Sequence, residues 1–122
     1  MEYIIKQNSD IQIIIVEAAG MINTKVAEEI ILAIGVELNN TGFQKCFIDL
    51  TNTEIDPDET RIEMFMFVNV FRKANIKKSV KIAALISSID DHRLFLEKAA
   101  EFEGFKLKHF TNKDEAFNWV NN

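Results

Sequence analysis

The stretch CFIDLTNTEIDPDE, residues 46–59, carries the two signals from which the fold class can be predicted. Its first five residues, Cys46–Leu50, are an apolar run with a single acid, which is typical of a strand inside a sheet. Its last residues predict a helix start, because Asp56 can cap a helix, Pro57 suits the first helical position and Glu59 can reach back to the cap. The residues between them are predicted as a loop. A buried strand followed by a helix is the unit from which α/β sheets are built.

Strands and helices alternate in the same way through the rest of the chain. Further strands are predicted at Tyr3–Lys6, Ile11–Val16, Val80–Ile86 and Phe105–Phe110. Helices are predicted from Asn23 or Thr24 to Gly42, from Asp56 to about Ala74, from the Ser88–Asp91 capping signal to Gly104, and after Thr111–Asp114. The order β-β-α-β-α-β-α-β-α predicts one α/β domain over residues 1–122. It has about five strands, mostly parallel with an N-terminal antiparallel hairpin strand, and about four helices packed on them.

Composition narrows the classes of function. The 122 residues include 48% hydrophobic and 27% charged residues, with a formal net charge of −5, which is typical of a globular domain and unfavourable for nucleic-acid binding. No stretch approaches the roughly 18 apolar residues of a membrane span, and no secretion signal is visible at the N-terminus. The single cysteine allows no internal disulfide. We therefore expect a cytoplasmic protein without a nucleic-acid partner or a membrane span.

Three segments in this order resemble the SpoIIAA-like (STAS) family of anti-sigma factor antagonists. Gly20–Asn23 is similar to the family's Gly-x-Leu-Asp before the first helix, and Phe47–Asp56 to its central strand and following loop. Gly104–Phe110 with Asp114–Ala116 is similar to its closing strand and last helix start. The ending Phe110–Val120 most resembles a divergent bacterial branch of STAS/SEC14-type proteins. The resemblance implies a STAS fold and a regulatory or binding role.

The chain departs from the signalling members of that family at one important place. Those members carry Asp-Ser-Ser-Gly-Leu after the central strand, and the second serine is phosphorylated; here the matching stretch is DPDET, and Asp58 takes the serine's position. A carboxylate there is only a partial mimic of a phosphoryl group. The regulatory loop implied by the resemblance contains Thr51, Thr53, Asp56, Asp58 and Thr60. The alternative is that the acids only cap a helix.

The helix predicted after Asp56 is apolar on two sides. One stripe, assigned to the core, contains Met64, Phe67, Val68, Phe71 and Ala74. The other, predicted to face outward, contains Ile62, Phe65, Met66 and Val70. An exposed stripe of this kind is typical of a surface for a protein partner or for self-association, a homodimer included, or of a groove for an apolar ligand. The alternative is that a neighbouring segment covers it.

No catalytic or metal-binding pattern is visible, and we expect no cofactor. His92 and His109 are predicted as surface residues, and Cys46 as buried and inert. Asp49, within an apolar strand, is predicted to accept hydrogen bonds from the loop that follows, with a ligand-binding role as the alternative. The sequence therefore predicts a non-enzymatic regulatory or protein-interaction module that lacks the phosphorylatable serine. The alternative function is that of a carrier for a small apolar ligand, and an enzyme ranks third.

Overall fold

The order in which the strands lie across the sheet is the order in which they occur in the chain. The computed structural model describes residues 2–58 and 68–122. Its elements are β1 (Glu2–Asn8), β2 (Ile13–Ile22), α1 (Thr24–Thr41), β3 (Lys45–Ile55), α2 (Asn69–Lys73), β4 (Lys81–Leu85), α3 (Asp91–Phe102), β5 (Lys106–Phe110) and α4 (Lys113–Asn121). The five strands lie in the order β1-β2-β3-β4-β5. Only β1 and β2 pair antiparallel. The predicted α/β fold is confirmed.

The turn between β1 and β2 is shaped by a side chain. Asn8 Oδ1 accepts hydrogen bonds from the backbone N–H groups of Asp10, at 3.1 Å, and Ile11, at 3.4 Å. Gln12 then adopts a left-handed conformation with φ of 53°. These residues complete the turn, so β2 begins at Ile13 and not at Ile11 as predicted.

Strands β2 and β3 are longer than predicted. Residues 18–22 lie outside every predicted strand and residues 51–55 are predicted as a loop, yet both continue their strands and pair with each other, from Ala19 with Asn52 to Ile22 with Ile55. A register shift between Glu17 and Ala19, of the kind a β-bulge produces, separates this pairing from the main sheet. The extension is formed by backbone pairing between AAGMI, residues 18–22, and TNTEI, residues 51–55. Neither segment alternates between apolar and polar residues, so the sequence pattern does not reveal this pairing.

Side-chain hydrogen bonds fix the starts of three helices. Asn23 Oδ1 accepts from Val26 N at 2.9 Å, Asp90 Oδ1 from Arg93 N at 2.8 Å, and Asn112 Oδ1 from Glu115 N at 3.0 Å. Helix α1 ends at Gly42, whose φ of 75° is left-handed and whose N–H reaches the carbonyl of Leu38. For α1, α3 and α4, the helix starts predicted from capping patterns are thus close to the observed ones.

The sheet separates two apolar clusters. On one face, α1, α2 and α3 pack over side chains that include Ile14, Val16, Cys46, Ile48 and Ile82. On the other face, α4 packs over β3, β4 and β5, with Ala116 and Val120 buried against Phe47 and Ala83. The Phe47 and Phe117 rings stack with centroids 4.5 Å apart. None of the helices in the described part of the chain is long and apolar enough to cross a membrane.

Candidate functional site

Two adjoining apolar cavities lie where the parallel strands end, between the N-terminal halves of α1 and α3. Their volumes are about 80 Å³ and about 90 Å³. Both are lined by Ile22, Ala27, Leu50, Leu96 and His109. The first also reaches Asn23, Thr24, Ile55, His92 and Arg93. Ligands of open α/β sheets commonly bind at this carboxyl edge of the strands, which makes this edge the candidate site.

Asp49 is hydrogen-bonded to the residues that follow it in β3, at this edge of the sheet. Its Oδ1 accepts hydrogen bonds from the backbone N–H of Thr51, at 3.0 Å, and from the Thr51 hydroxyl, at 2.6 Å. The Thr53 hydroxyl donates to the carbonyl of Leu50 at 2.7 Å. Asp49 therefore has the structural role that the sequence predicted for it. Thr51 and Thr53, two predicted members of the regulatory loop, lie in β3 with their hydroxyl protons held by internal acceptors.

The remaining predicted loop residues follow β3. Asp56 Oδ1 accepts from the backbone N–H of Asp58 at 2.9 Å, which closes a local turn. Asp56 is partly buried, whereas Asp58 is exposed. Thr60 lies outside the described residues, as does most of the helix predicted from Asp56 to about Ala74; Pro57 and Asp58, at its predicted start, form a turn. The two acids are thus neighbours in one turn at the carboxyl edge of the sheet.

Of the predicted interaction surface, the structure describes Val70, and it shows that Val70 is buried. Ile62, Phe65 and Met66 lie outside the described residues. Val70 is buried, with 5% of its surface exposed, although the sequence predicted it on the outward stripe. It lies one turn before Ala74, and the Ala74 backbone passes so close to Gly35 of α1 that a Cβ atom at Gly35 would meet it. The side of α2 that carries Val70 is therefore covered by α1.

His109 is buried, contrary to the prediction that it lies on the surface. Only 5% of its surface is exposed, and its Nδ1 lies 3.0 Å from Oε1 of Glu97 on α3. The backbone N–H of His109 donates to the same oxygen. Burial acts to raise the pKa of Glu97, but the hydrogen bonds and the charge of His109 outweigh it and hold that pKa below its usual range. The helix that covers β5 thus turns an edge-strand histidine into a core residue.

Replacing Glu97 with glutamine is expected to reduce the loss of unfolding free energy that occurs as the pH falls below neutrality. A carboxyl whose pKa is lowered by folding stabilises the fold above its unfolded pKa of about 4.3, and that contribution is lost as the pH falls through the lower folded pKa. We therefore expect wild type to lose stability below about pH 4.3 more steeply than Glu97→Gln. Urea unfolding from pH 7 to pH 3 measures this. The matched control is Glu101→Gln, on an exposed position of the same helix. A Glu97→Gln profile parallel to wild type would contradict the assignment.

His92 is the second histidine at the site. Its ring is partly buried and lines the first cavity. Its Nδ1 atom is fully buried and has no hydrogen-bond partner among the described residues. The neighbouring Arg93 is already paired, with Nη1 2.7 Å from Asp90 Oδ2. His92 too differs from the surface residue that the sequence predicted.

Cys46 and His109, two side chains with potential reactivity, are both buried among the described residues. Cys46 is buried, as predicted, and burial raises the pKa of its thiol, which keeps it protonated. His109 is hydrogen-bonded to Glu97 and not to a described serine, threonine or cysteine hydroxyl or thiol. Residues 2–58 and 68–122 contain no cluster of three or more His, Cys, Asp or Glu side chains that could hold a metal ion. The apolar cavities and their two histidines could hold a small molecule.

Comparison with solved structures defines the fold type. An anti-sigma factor antagonist from Mycobacterium paratuberculosis superimposes with a TM-score of 0.60 at 14% identity, covering 99% of this chain and 94% of that one. The chain has a SpoIIAA-like fold. An uncharacterised protein with a SpoIIAA-like fold from Shewanella loihica PV-4 gives a TM-score of 0.57 at 17% identity, over 98% and 92% of the two chains. Unphosphorylated SpoIIAA itself gives 0.53 at 9% identity, over 99% of both chains.

The resemblance stated from sequence motifs is thus confirmed for the fold. No family model matches the sequence of this SpoIIAA-like domain, and no curated protein matches it either. At identities of 9% to 17%, the shared property is the chain path. The role of the domain has to be argued from its own residues.

Proposed function

We propose that this SpoIIAA-like domain is a non-enzymatic regulatory or protein-interaction module of the cytoplasm. Two of the similar structures are anti-sigma factor antagonists, a class whose name describes action on another protein. The observation that carries the proposal is the turn after β3, where exposed Asp58 follows Asp56 at the carboxyl edge of the sheet. In the sequence resemblance, this turn takes the place of the family's regulatory loop.

The chemistry of this turn supports a partner that binds without a phosphorylation switch. Asp58 stands where signalling members carry serine, and a carboxylate has no hydroxyl to phosphorylate. The Thr51 and Thr53 hydroxyls donate to Asp49 and to the Leu50 carbonyl, so phosphorylation of either would break an internal hydrogen bond. The proposed partner therefore meets a permanent negative charge and would bind through complementary basic groups.

Charge reversal at Asp58 tests this proposal. We expect Asp58→Lys to reduce capture of a protein partner from the source cell by at least about tenfold, since it replaces attraction with repulsion. The matched control is Asp114→Lys, which changes another exposed acid, at the start of α4 on the other face of the sheet. Quantitative mass spectrometry of affinity-purified material measures the capture. A partner captured equally by wild type and both variants would bind elsewhere and contradict the proposed surface.

The alternative function is that of a carrier for a small apolar ligand. The observation that favours it is the pair of adjoining apolar cavities between α1 and α3. Their volumes of about 80 Å³ and about 90 Å³ suit a small molecule and not a long acyl chain. Native mass spectrometry separates the alternatives: a monomer with a reproducible added mass supports the carrier, and a dimer without added mass supports self-association.

A further inference from the structure

The cavities carry a polar group at one end. His92 lines the first cavity, and its buried Nδ1 lacks a partner among the described residues. A buried polar atom without a hydrogen bond is destabilising, because it has lost its hydrogen bonds to water and gained none in return. Such an atom beside an apolar space points to a molecule that supplies the missing hydrogen bond.

A hydroxyl group suits this nitrogen better than a group that can only donate or only accept. The Nδ1 of His109 is already hydrogen-bonded to Oε1 of Glu97 on α3, so the unpartnered nitrogen is that of His92. An imidazole nitrogen donates or accepts a hydrogen bond according to where the ring carries its proton. A hydroxyl can do either, so an alcohol supplies the missing hydrogen bond in both cases.

The charges around the cavity favour a neutral ligand. Arg93 is paired with Asp90, and Glu97 is paired with His109. A carboxylate ligand would therefore enter an apolar space with no unpaired cation among the described lining residues, at a high desolvation cost.

The volume of the two cavities limits the size of the ligand. An apolar cavity of about 150 Å³ engineered into another protein holds benzene. The two cavities here, about 80 Å³ and about 90 Å³, share five lining residues and adjoin. Together they suit a molecule of roughly five to seven non-hydrogen atoms.

We propose that the space between α1 and α3 binds a small neutral alcohol, with its hydrocarbon body against Ile22, Leu50 and Leu96 and its hydroxyl hydrogen-bonded to Nδ1 of His92. Burial of the hydrocarbon supplies most of the affinity, and the hydroxyl supplies the selectivity. This inference rests on the alternative carrier function and gives it a ligand class. It is independent of the proposed partner at Asp58.

Three matched probes test the ligand class. We expect phenol to bind about fivefold more tightly than benzene, which lacks the hydroxyl, and at least about tenfold more tightly than benzoate, which carries a charge. Methyl NMR titrations that follow Ile22 and Leu50 measure all three. Equal binding of phenol and benzene would overturn the role of the hydroxyl, and tighter binding of benzoate would overturn the neutral class. Absence of saturable shifts at both methyl groups for all probes would overturn the site.

Two leucines on α3 allow a matched test of where the ligand binds. Leu96 lines both cavities, whereas Leu94 is 40% exposed. We expect Leu96→Phe to fill the space and abolish phenol binding, and Leu94→Phe to leave it unchanged. Ala27→Leu fills the same space from α1, should Leu96→Phe fail to fold. We expect His92→Leu to bind benzene normally but to lose the preference for phenol. Phenol shifts that persist in a folded Leu96→Phe or Ala27→Leu protein would place the ligand elsewhere.

A negative result here is distinguishable from failure of the proposed function. Loss of capture by Asp58→Lys is measured without any added alcohol, and phenol binding is measured without a protein partner. Each experiment can therefore fail while the other succeeds.

Discussion

Gly35→Ala is expected to destabilise the domain by about 1–3 kcal/mol, although alanine is the better helix former. In an exposed helix the same change stabilises by about 1 kcal/mol. Here a Cβ atom at position 35 would lie 2.3 Å from the Ala74 carbonyl oxygen and 2.7 Å from the Ala74 Cβ. Both distances are far inside van der Waals contact, and the first partner is backbone, so α1 and α2 would have to move apart. The Asn39 side chain, which donates to the Gly35 carbonyl at 2.8 Å and to the Ala74 carbonyl at 3.4 Å, would be strained by the same movement.

Urea unfolding of Gly35→Ala beside Val36→Ala measures this effect. Val36 is the next residue of α1 and is 58% exposed, so its replacement should change the free energy of unfolding by less than about 0.5 kcal/mol. A Gly35→Ala protein as stable as wild type, or more stable, would mean that α1 and α2 do not make this close contact.

Phe71→Ala is expected to lower the free energy of unfolding by about 3–5 kcal/mol. Phe71 is 1% exposed and lies in the cluster between the sheet and α1, α2 and α3. Its ring meets that of Phe105 edge to face, with centroids 5.2 Å apart and planes at 85°. Truncation removes this contact and leaves a cavity that the rigid sheet cannot close.

The chain provides a matched phenylalanine for this experiment. Phe102, at the end of α3, is 82% exposed, so Phe102→Ala should leave stability within about 0.5 kcal/mol of wild type. Chemical denaturation of both variants at one pH gives the comparison. Similar values for the two would contradict the placement of Phe71 in the core.

Local chemistry made much of the fold predictable. The apolar strand Cys46–Leu50 and the capping residues Asn23 and Gly42 act through their own neighbours, so their signals can be read in sequence. The continuation of β3 through Thr51–Ile55 could not be read in the same way. Its pairing with the end of β2 depends on a register shift near Ala18, which follows from how two distant segments meet.

The candidate site was less predictable than the fold. Asp49 could be assigned because its hydrogen bonds go to the residues that follow it. His109 and His92 were misplaced because their burial depends on α3 crossing the end of β5, a tertiary arrangement. The alternation of residues 105–110 did carry a signal, since it places His109 on the same side of the strand as Leu107. Residues 62, 65 and 66, predicted as an interaction surface, remain a prediction.

The position of α4 in the chain has a consequence for synthesis. This helix follows all five strands, yet it alone of the described helices covers the face of the sheet that contains Phe47 and Ala83. A nascent chain therefore acquires every strand before it acquires the cover for that apolar face. Until α4 leaves the ribosome and docks, the face stays open to water and to other chains. A growing polypeptide of this fold would be most prone to aggregate, and most in need of a chaperone, in the interval between the synthesis of β5 and the docking of α4.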